Sequence, residues 1–202
     1  MTETTTLERP ETNEKNSDTQ AMKQQIETMK AEVAAIGKAQ AVIEFNMDGT
    51  IITANKNFRE TVGYRLDELV GKHHSMFVDA EYRKSAEYQS FWDQLKKGIY
   101  FSDEFRRINK AGDDVWIQAS YNPILDQNGE PYRVVKYAVD ITARVEAVQA
   151  IRGTMRKLVV GDLDTPPLHL DGDFAELGNS INQFVSDIKA IISRISDVMS
   201  AM

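Results

Sequence analysis

The sequence predicts an α+β fold: about five antiparallel strands in one sheet, short helices on one face of it, and amphipathic helices before and after. Three patterns predict it. Two runs rich in β-branched residues, Ala41 to Asn46 and Ile51 to Ala54, flank Met47-Asp48-Gly49-Thr50, a strand, tight turn and strand. Three more strand-like runs, Tyr100 to Asn109, Val115 to Leu125 and Tyr132 to Val139, are separated by Lys110-Ala111-Gly112-Asp113 and Asp126-Gln127-Asn128-Gly129, turns rich in residues that tolerate left-handed backbone. Finally, Phe174, Leu177, Ile181, Phe184, Ile188, Ile191, Ile195, Val198 and Met202 follow an unbroken three-four spacing. On a helix that spacing winds a seam too narrow to cover a globular core and suited to a second seam of its kind.

In chain order, residues 1–18 are mostly Thr, Glu, Asn, Asp and Lys, with almost nothing to bury, and are expected as a mobile tail. Residues 19–39 carry Met22, Ile26, Met29, Val33 and Ile36 at three-four spacing, an amphipathic helix closed by Gly37. It packs either on the next domain or against a second copy. The sheet domain spans residues 40–142. Between its second and third strands lie short helical pieces punctuated by Gly63 and Gly71, then a helix from Ala80 to Lys97 carrying Tyr82, Tyr88, Phe91, Trp92 and Leu95. After Asp140-Ile141-Thr142 the chain is helical again, with Ile141, Val145, Val148, Met155 and Val159 in heptad register, and residues 143–202 form a helical relay.

The 202 residues, 42% of them hydrophobic, support one well-buried domain with extensions. A net charge of -7 argues against a nucleic-acid footprint, which needs clustered Lys and Arg. With no cysteine there is no disulfide, thiolate metal site or thiol catalysis, and a reducing compartment suits the chain. No apolar run reaches the roughly 20 residues that span a bilayer, so the expectation is a cytoplasmic protein. No phosphate loop, zinc-helix motif or nucleophile with a base is present, and no enzymatic activity is expected.

Residues 40 to 142 resemble a PAS domain. The carriers are Asp48-Gly49-Thr50-Ile51-Ile52 with Ala54-Asn55, Phe58 with Val62-Gly63-Tyr64, Glu68-Leu69-Val70-Gly71, Lys110-Ala111-Gly112 and Asp140-Ile141-Thr142. Gly71-Lys72-His73-His74-Ser75-Met76-Phe77, Phe91-Trp92 with Leu95 and Gly98, and Phe105-Arg106-Arg107 with Val115-Trp116 resemble the type fused to bacterial chemoreceptors and aerotaxis transducers. Gly161-Asp162-Leu163, Pro166-Pro167 and Asp171-Gly172-Asp173-Phe174 with Asn182-Gln183-Phe184 resemble a divergent HAMP module.

The resemblance implies a sensor whose cleft lies between sheet and helices, with FAD, haem b or no cofactor. Trp92 and Trp116 are candidate walls for a flavin ring and Asn122 a candidate amide donor. His73 and His74 point about 100 degrees apart on a helix, so the two do not ligate one metal together and there is room for one of them to face inward, and His74 is the candidate haem ligand. The alternative for each is an ordinary core or capping role, and His169 is expected in solvent. Asp140 and Thr142, where sheet becomes helix, are expected to cap the following helix and carry the signal. The implied assembly is a homodimer through the helical seams, feeding a chemoreceptor signalling domain and its kinase complex. The rival readings are a cofactor-free dimerisation scaffold, or the input module of a histidine kinase or diguanylate cyclase.

Overall fold

The computed structural model describes residues 11–202, with side chains from Asp18 onward. Helix α1 (Glu11–Ala39) begins upstream of the boundary expected at Asp18, because adding residues to an existing helix avoids the cost of nucleation. The rest of the expected tail lies outside the described residues. Strands β1 (Ala41–Asn46) and β2 (Ile51–Ala54) form the hairpin. Gly49 sits in its turn at φ 87°, where an added Cβ would lie 2.5 Å from the His73 ring, so only glycine fits.

Helices α2 (Lys56–Val62) and α3 (Leu66–Leu69) follow, then 3-10 turns at His74–Phe77 and Tyr82–Lys84 and helix α4 (Ala86–Leu95). The single helix expected from Ala80 to Lys97 is therefore interrupted. Asp79 accepts the backbone N–H of Tyr82 and Ser85 that of Tyr88, and these two local side-chain bonds restart the helix at Ala86. Strands β3 (Phe101–Ile108), β4 (Asp114–Leu125) and β5 (Pro131–Asp140) make the meander, and helix α5 (Thr142–Val159), a connector and helix α6 (Ala175–Ser200) complete the chain.

All strand pairs are antiparallel and the order is β2-β1-β5-β4-β3, so the first and last strands meet at the centre. Ala41 pairs with Ala138, which brings the start of β1 beside the end of β5. Helices α1 and α5 therefore join the sheet at one end, on adjacent strands. Side chains alternate across the sheet: Val115, Ile117, Ala119 and Tyr121 face the helices, and Trp116, Gln118, Ser120 and Asn122 face away. The helix-covered face holds the core, which includes Ile43, Phe45, Phe58, Phe77, Phe91, Leu95 and Val134.

Asn55 is the clasp between α1 and this domain. Its Oδ1 accepts from the N–H of Phe58, capping α2, and from the N–H of Val42, while its Nδ2 donates to the carbonyls of Gly37 and Gln40. Each bond is 2.8 or 2.9 Å, and Asn57 adds a 3.0 Å bond to the Lys38 carbonyl. Replacing Asn55 by alanine removes a helix cap and leaves half-buried backbone groups unpaired, an expected loss of roughly 1–2 kcal/mol in urea unfolding. A change under about 0.3 kcal/mol would show that water replaces these bonds without penalty.

In the C-terminal segment, Asn182 clips the connector to α6 by accepting from the Leu168 N–H at 2.7 Å and donating to the Leu168 carbonyl at 2.9 Å. Gly178, Ile181 and Val185 are buried, whereas Leu177, Phe184, Ile191, Ile195 and Val198 are exposed, as are Met22, Ile26, Met29, Val33 and Ile36 on α1. No helix among the described residues is long and apolar enough to cross a membrane.

Candidate functional site

The face of the sheet under α4 holds a polar cluster inside an aromatic shell. His74 begins the 3-10 turn at His74–Phe77, whose N-cap His73 accepts the N–H of Ser75 through its own Nδ1. That turn sends the His74 ring inward, where it is fully buried, and leaves His73 at the surface with Nε2 2.8 Å from the Asp48 carbonyl. His74 Nδ1 lies 2.9 Å from the Tyr88 hydroxyl on α4 and Nε2 lies 3.0 Å from the Tyr121 hydroxyl on β4. Arg107 on β3 donates to the same Tyr121 oxygen at 3.0 Å and to the Arg106 carbonyl at 2.8 Å.

Proton accounting orders this chain. A guanidinium only donates, so the Tyr121 oxygen accepts from Arg107 and its one proton goes to His74 Nε2. The neutral imidazole then carries its proton on Nδ1 and gives it to the Tyr88 oxygen; this tautomer is assigned from the bonding pattern. Only the Tyr88 proton, at the end of the chain, has no acceptor in it. Burial holds the pKa of His74 well below the ordinary imidazole range, and the charge of Arg107 adds to the effect. Burial also raises Tyr121 and pushes Tyr88 up to about 12, so both phenols stay protonated.

Lys136 on β5 is also buried, with Nζ 4.6 Å above the Tyr121 ring and 5.6 Å from that of Phe58. No hydrogen bond or ion pair holds it among the described residues, and burial first, then the charge of Arg107, lowers its pKa well below the usual value. Arg107 stacks on Phe105 at 4.8 Å, and its Nε is buried without a partner. Trp92 Nε1 is buried without one too: the indole N–H leans toward the Tyr88 hydroxyl without reaching hydrogen-bonding geometry. The interior is thus rich in donors, and neither Arg107 nor Lys136 has a carboxylate partner.

Of the residues singled out from sequence, the structure brings His74 and Trp92 together, with ring centroids 5.5 Å apart. Trp116 and Asn122 are corrected: at even positions of β4 they face away from the helices, and Asn122 bonds Ser120 and the Val135 carbonyl there. They cannot join a site with Trp92, because strand alternation separates odd from even positions by the thickness of the sheet. Neither haem nor flavin fits the side chains as arranged. Both His74 nitrogens are committed to hydroxyls, and its ring lies edge-on to Phe45 at 5.4 Å and to Tyr121 at 5.7 Å, which leaves no flat slot and no nitrogen for a metal. No group of metal-binding side chains occurs among the described residues.

Tyr88, Arg107, Tyr121 and Lys136 were not singled out from sequence. The available signal was a charged residue on an inward strand position, Arg107 two after Phe105 and Lys136 between Val134 and Ala138.

The junction to α5 differs from the expected cap. Asp140 Oδ1 accepts the N–H of Thr142 at 2.9 Å, but no side chain caps the helix, whose N-cap position is Ile141. Instead Thr142 Oγ1 accepts the Trp116 N–H at 3.0 Å, and the Ile141 N–H donates to the Trp116 carbonyl at 2.8 Å. Arg144 pairs with Glu104 of β3 at 2.6 Å. The first turn of α5 is stitched to β4 and β3, beyond the strand it continues.

Residues 51–138 match the family model described as PAS fold. Over 134 residues, 66% of this chain, the sequence is 39% identical to the biofilm dispersion protein BdlA of Pseudomonas aeruginosa, and that match spans 32% of the relative. It is 32% identical over 80 residues, 40% of this chain, to the aerotaxis receptor of Escherichia coli, of which it spans 16%. The chain therefore aligns with about a third or less of the length of these curated relatives. The PAS domain of a protein from Colwellia psychrerythraea superposes with a TM-score of 0.50 at 22% identity, covering 57% of this chain and 98% of that one, a likeness of fold. A hairpin whose first strand pairs with the last and helices inserted before a three-stranded meander agree with these matches, and the domain built on residues 51–138 has the PAS fold.

Proposed function

We propose that the chain is the sensory and relay part of a cytoplasmic chemoreceptor. Its PAS domain registers a small ligand, and a HAMP-like pair of helices passes the change on as a homodimer to a signalling domain and its kinase complex. The observation that carries this reading is the junction of α5 with the sheet. Because Ile141 and Thr142 are bonded to Trp116 in β4, a shift of that strand relative to β5 must tilt the helix rather than dissipate in a loop. Tyr121 lies on the same strand and belongs to the buried chain, so core and helix share one element. The Asn182 clip that lays the connector along α6 supports a HAMP-like arrangement, and similarity to the aerotaxis receptor supports the chemoreceptor class.

Exposed Leu177, Phe184, Ile191, Ile195 and Val198 supply the seam for a second copy. Sedimentation equilibrium is expected to give a dimer, and Ile191→Glu with Ile195→Glu a monomer whose near-ultraviolet circular dichroism is unchanged. A wild-type chain monomeric at every concentration overturns the paired relay.

A further inference from the structure

We propose that the cleft over Tyr88 and Trp92 binds a small carboxylate with a flat apolar body, the carboxylate being received by the Trp92 indole N–H, the Tyr88 hydroxyl and Arg83. The inference rests on the reading of this domain as a ligand sensor and names the class of ligand.

The cleft has a volume of about 450 Å³, and Asp48, Arg83, Tyr88, Trp92, Asp93 and Lys96 are among its lining residues. Each of its two carboxylates is held through one oxygen. Asp93 pairs with Lys96 at 3.3 Å, and the Asp48 carboxylate accepts the Thr50 N–H at 2.9 Å. Set against these are donors without an acceptor. Trp92, only 6% exposed, has a buried Nε1 with no partner, and an indole can only donate. The Tyr88 proton has no acceptor in the Arg107-Tyr121-His74 chain. Arg83 is exposed and makes no ion pair among the described residues. Behind this wall stand buried Arg107 and Lys136, neither paired with a carboxylate. Unpaired donors backed by the Arg107 guanidinium are complemented by an anionic acceptor, and hydrogen bonds to a charged acceptor are the stronger kind. Trp92 and Tyr88, each 6% exposed, line the cleft, and aromatic side chains suit a flat apolar body.

The same arrangement makes the site readable. When a ligand oxygen takes the Tyr88 proton, the Tyr88 oxygen becomes a better acceptor for His74, and the change runs through Tyr121 into β4. Arrival at the surface is thereby coupled to the strand that holds α5.

Isothermal titration calorimetry of the full chain with benzoate and its uncharged isostere benzamide tests the proposal. Benzoate is expected to bind with a Kd of about 1 mM or below and benzamide at least about tenfold more weakly. Trp92→Phe, which keeps a ring in place, is expected to weaken benzoate about tenfold, and Tyr88→Phe and Arg83→Gln about threefold or more. Arg83 is exposed, so its variant stays folded even if the aromatic ones do not. Benzamide binding as tightly as benzoate, an affinity untouched by all three variants, or no heat from benzoate at about 10 mM overturns the proposal. The visible spectrum of purified protein separates a free carboxylate from those of a haem: a chromophore without a benzoate response overturns this inference and leaves the sensory reading in place. Benzoate binding to a chain that stays monomeric does the reverse.

Discussion

Replacement of His74 by leucine is expected to destabilise the domain by about 3–4 kcal/mol and to flatten its stability between pH 7 and 5. Leucine is close in volume, so the loss comes from hydrogen bonding rather than from a cavity. Without the imidazole, Tyr121 retains Arg107 as a donor but has no acceptor for its own proton, and Tyr88 loses its donor. Stranded buried groups cost about 1–3 kcal/mol each. The pH dependence follows from the sign of the shift. Burial lowers the His74 pKa on folding, so the unfolded chain takes up this proton first, near its ordinary value of about 6.5. Stability present above that value declines as pH falls toward the folded pKa, and the leucine variant lacks this contribution. Adding Tyr88→Phe should recover part of the loss, because the stranded hydroxyl is then absent. If the double variant is no more stable than His74→Leu, the Tyr88–His74 bond has no part in the effect.

Lys136→Met is expected to act in the opposite direction and raise stability at pH 7 by roughly 1–4 kcal/mol. A lysine here gives up hydration without gaining a carboxylate, and receives only the faces of Tyr121 and Phe58 in return. Methionine fills nearly the same space and removes the penalty. Because burial depresses the lysine pKa, the unfolded chain holds this proton up to about pH 10.4 while the folded chain releases it earlier. The wild-type protein should therefore gain stability as pH rises from 7 toward 10, and the methionine variant should show less of that slope. Urea midpoints at pH 7 and 9 check both statements, and a methionine variant less stable than wild type at pH 7 contradicts them. A residue retained at such a cost marks the core as built for something other than maximal stability.

The strands were legible because period-two runs broken by Asp-Gly and Gly-containing turns have few alternatives, and the structure returns the β1–β2 hairpin and the β3–β5 meander close to their expected limits. The inward-facing histidine was legible as one of two, since adjacent helical positions diverge. Which of the two was decided by the His73 side chain binding Ser75 and the Asp48 carbonyl, contacts across the hairpin turn. Trp116 and Asn122 lie on the outer face because β4 alternates from Val115 inward, and residue type alone does not report which face a strand position occupies.

By itself the chain's order of residues determined the α+β class, the strands, the flanking amphipathic helices and the placement of the sheet-to-helix junction at Asp140-Ile141-Thr142. All of these follow from local periodicity and turn chemistry, which operate within a few residues. Only tertiary structure decided that β1 pairs with β5, that Thr142 is tied to Trp116, and that Arg107, Tyr121, His74 and Tyr88 form one buried chain. Those contacts join positions far apart in sequence, and their partners are chosen by which face of the sheet is covered, a property no local pattern encodes.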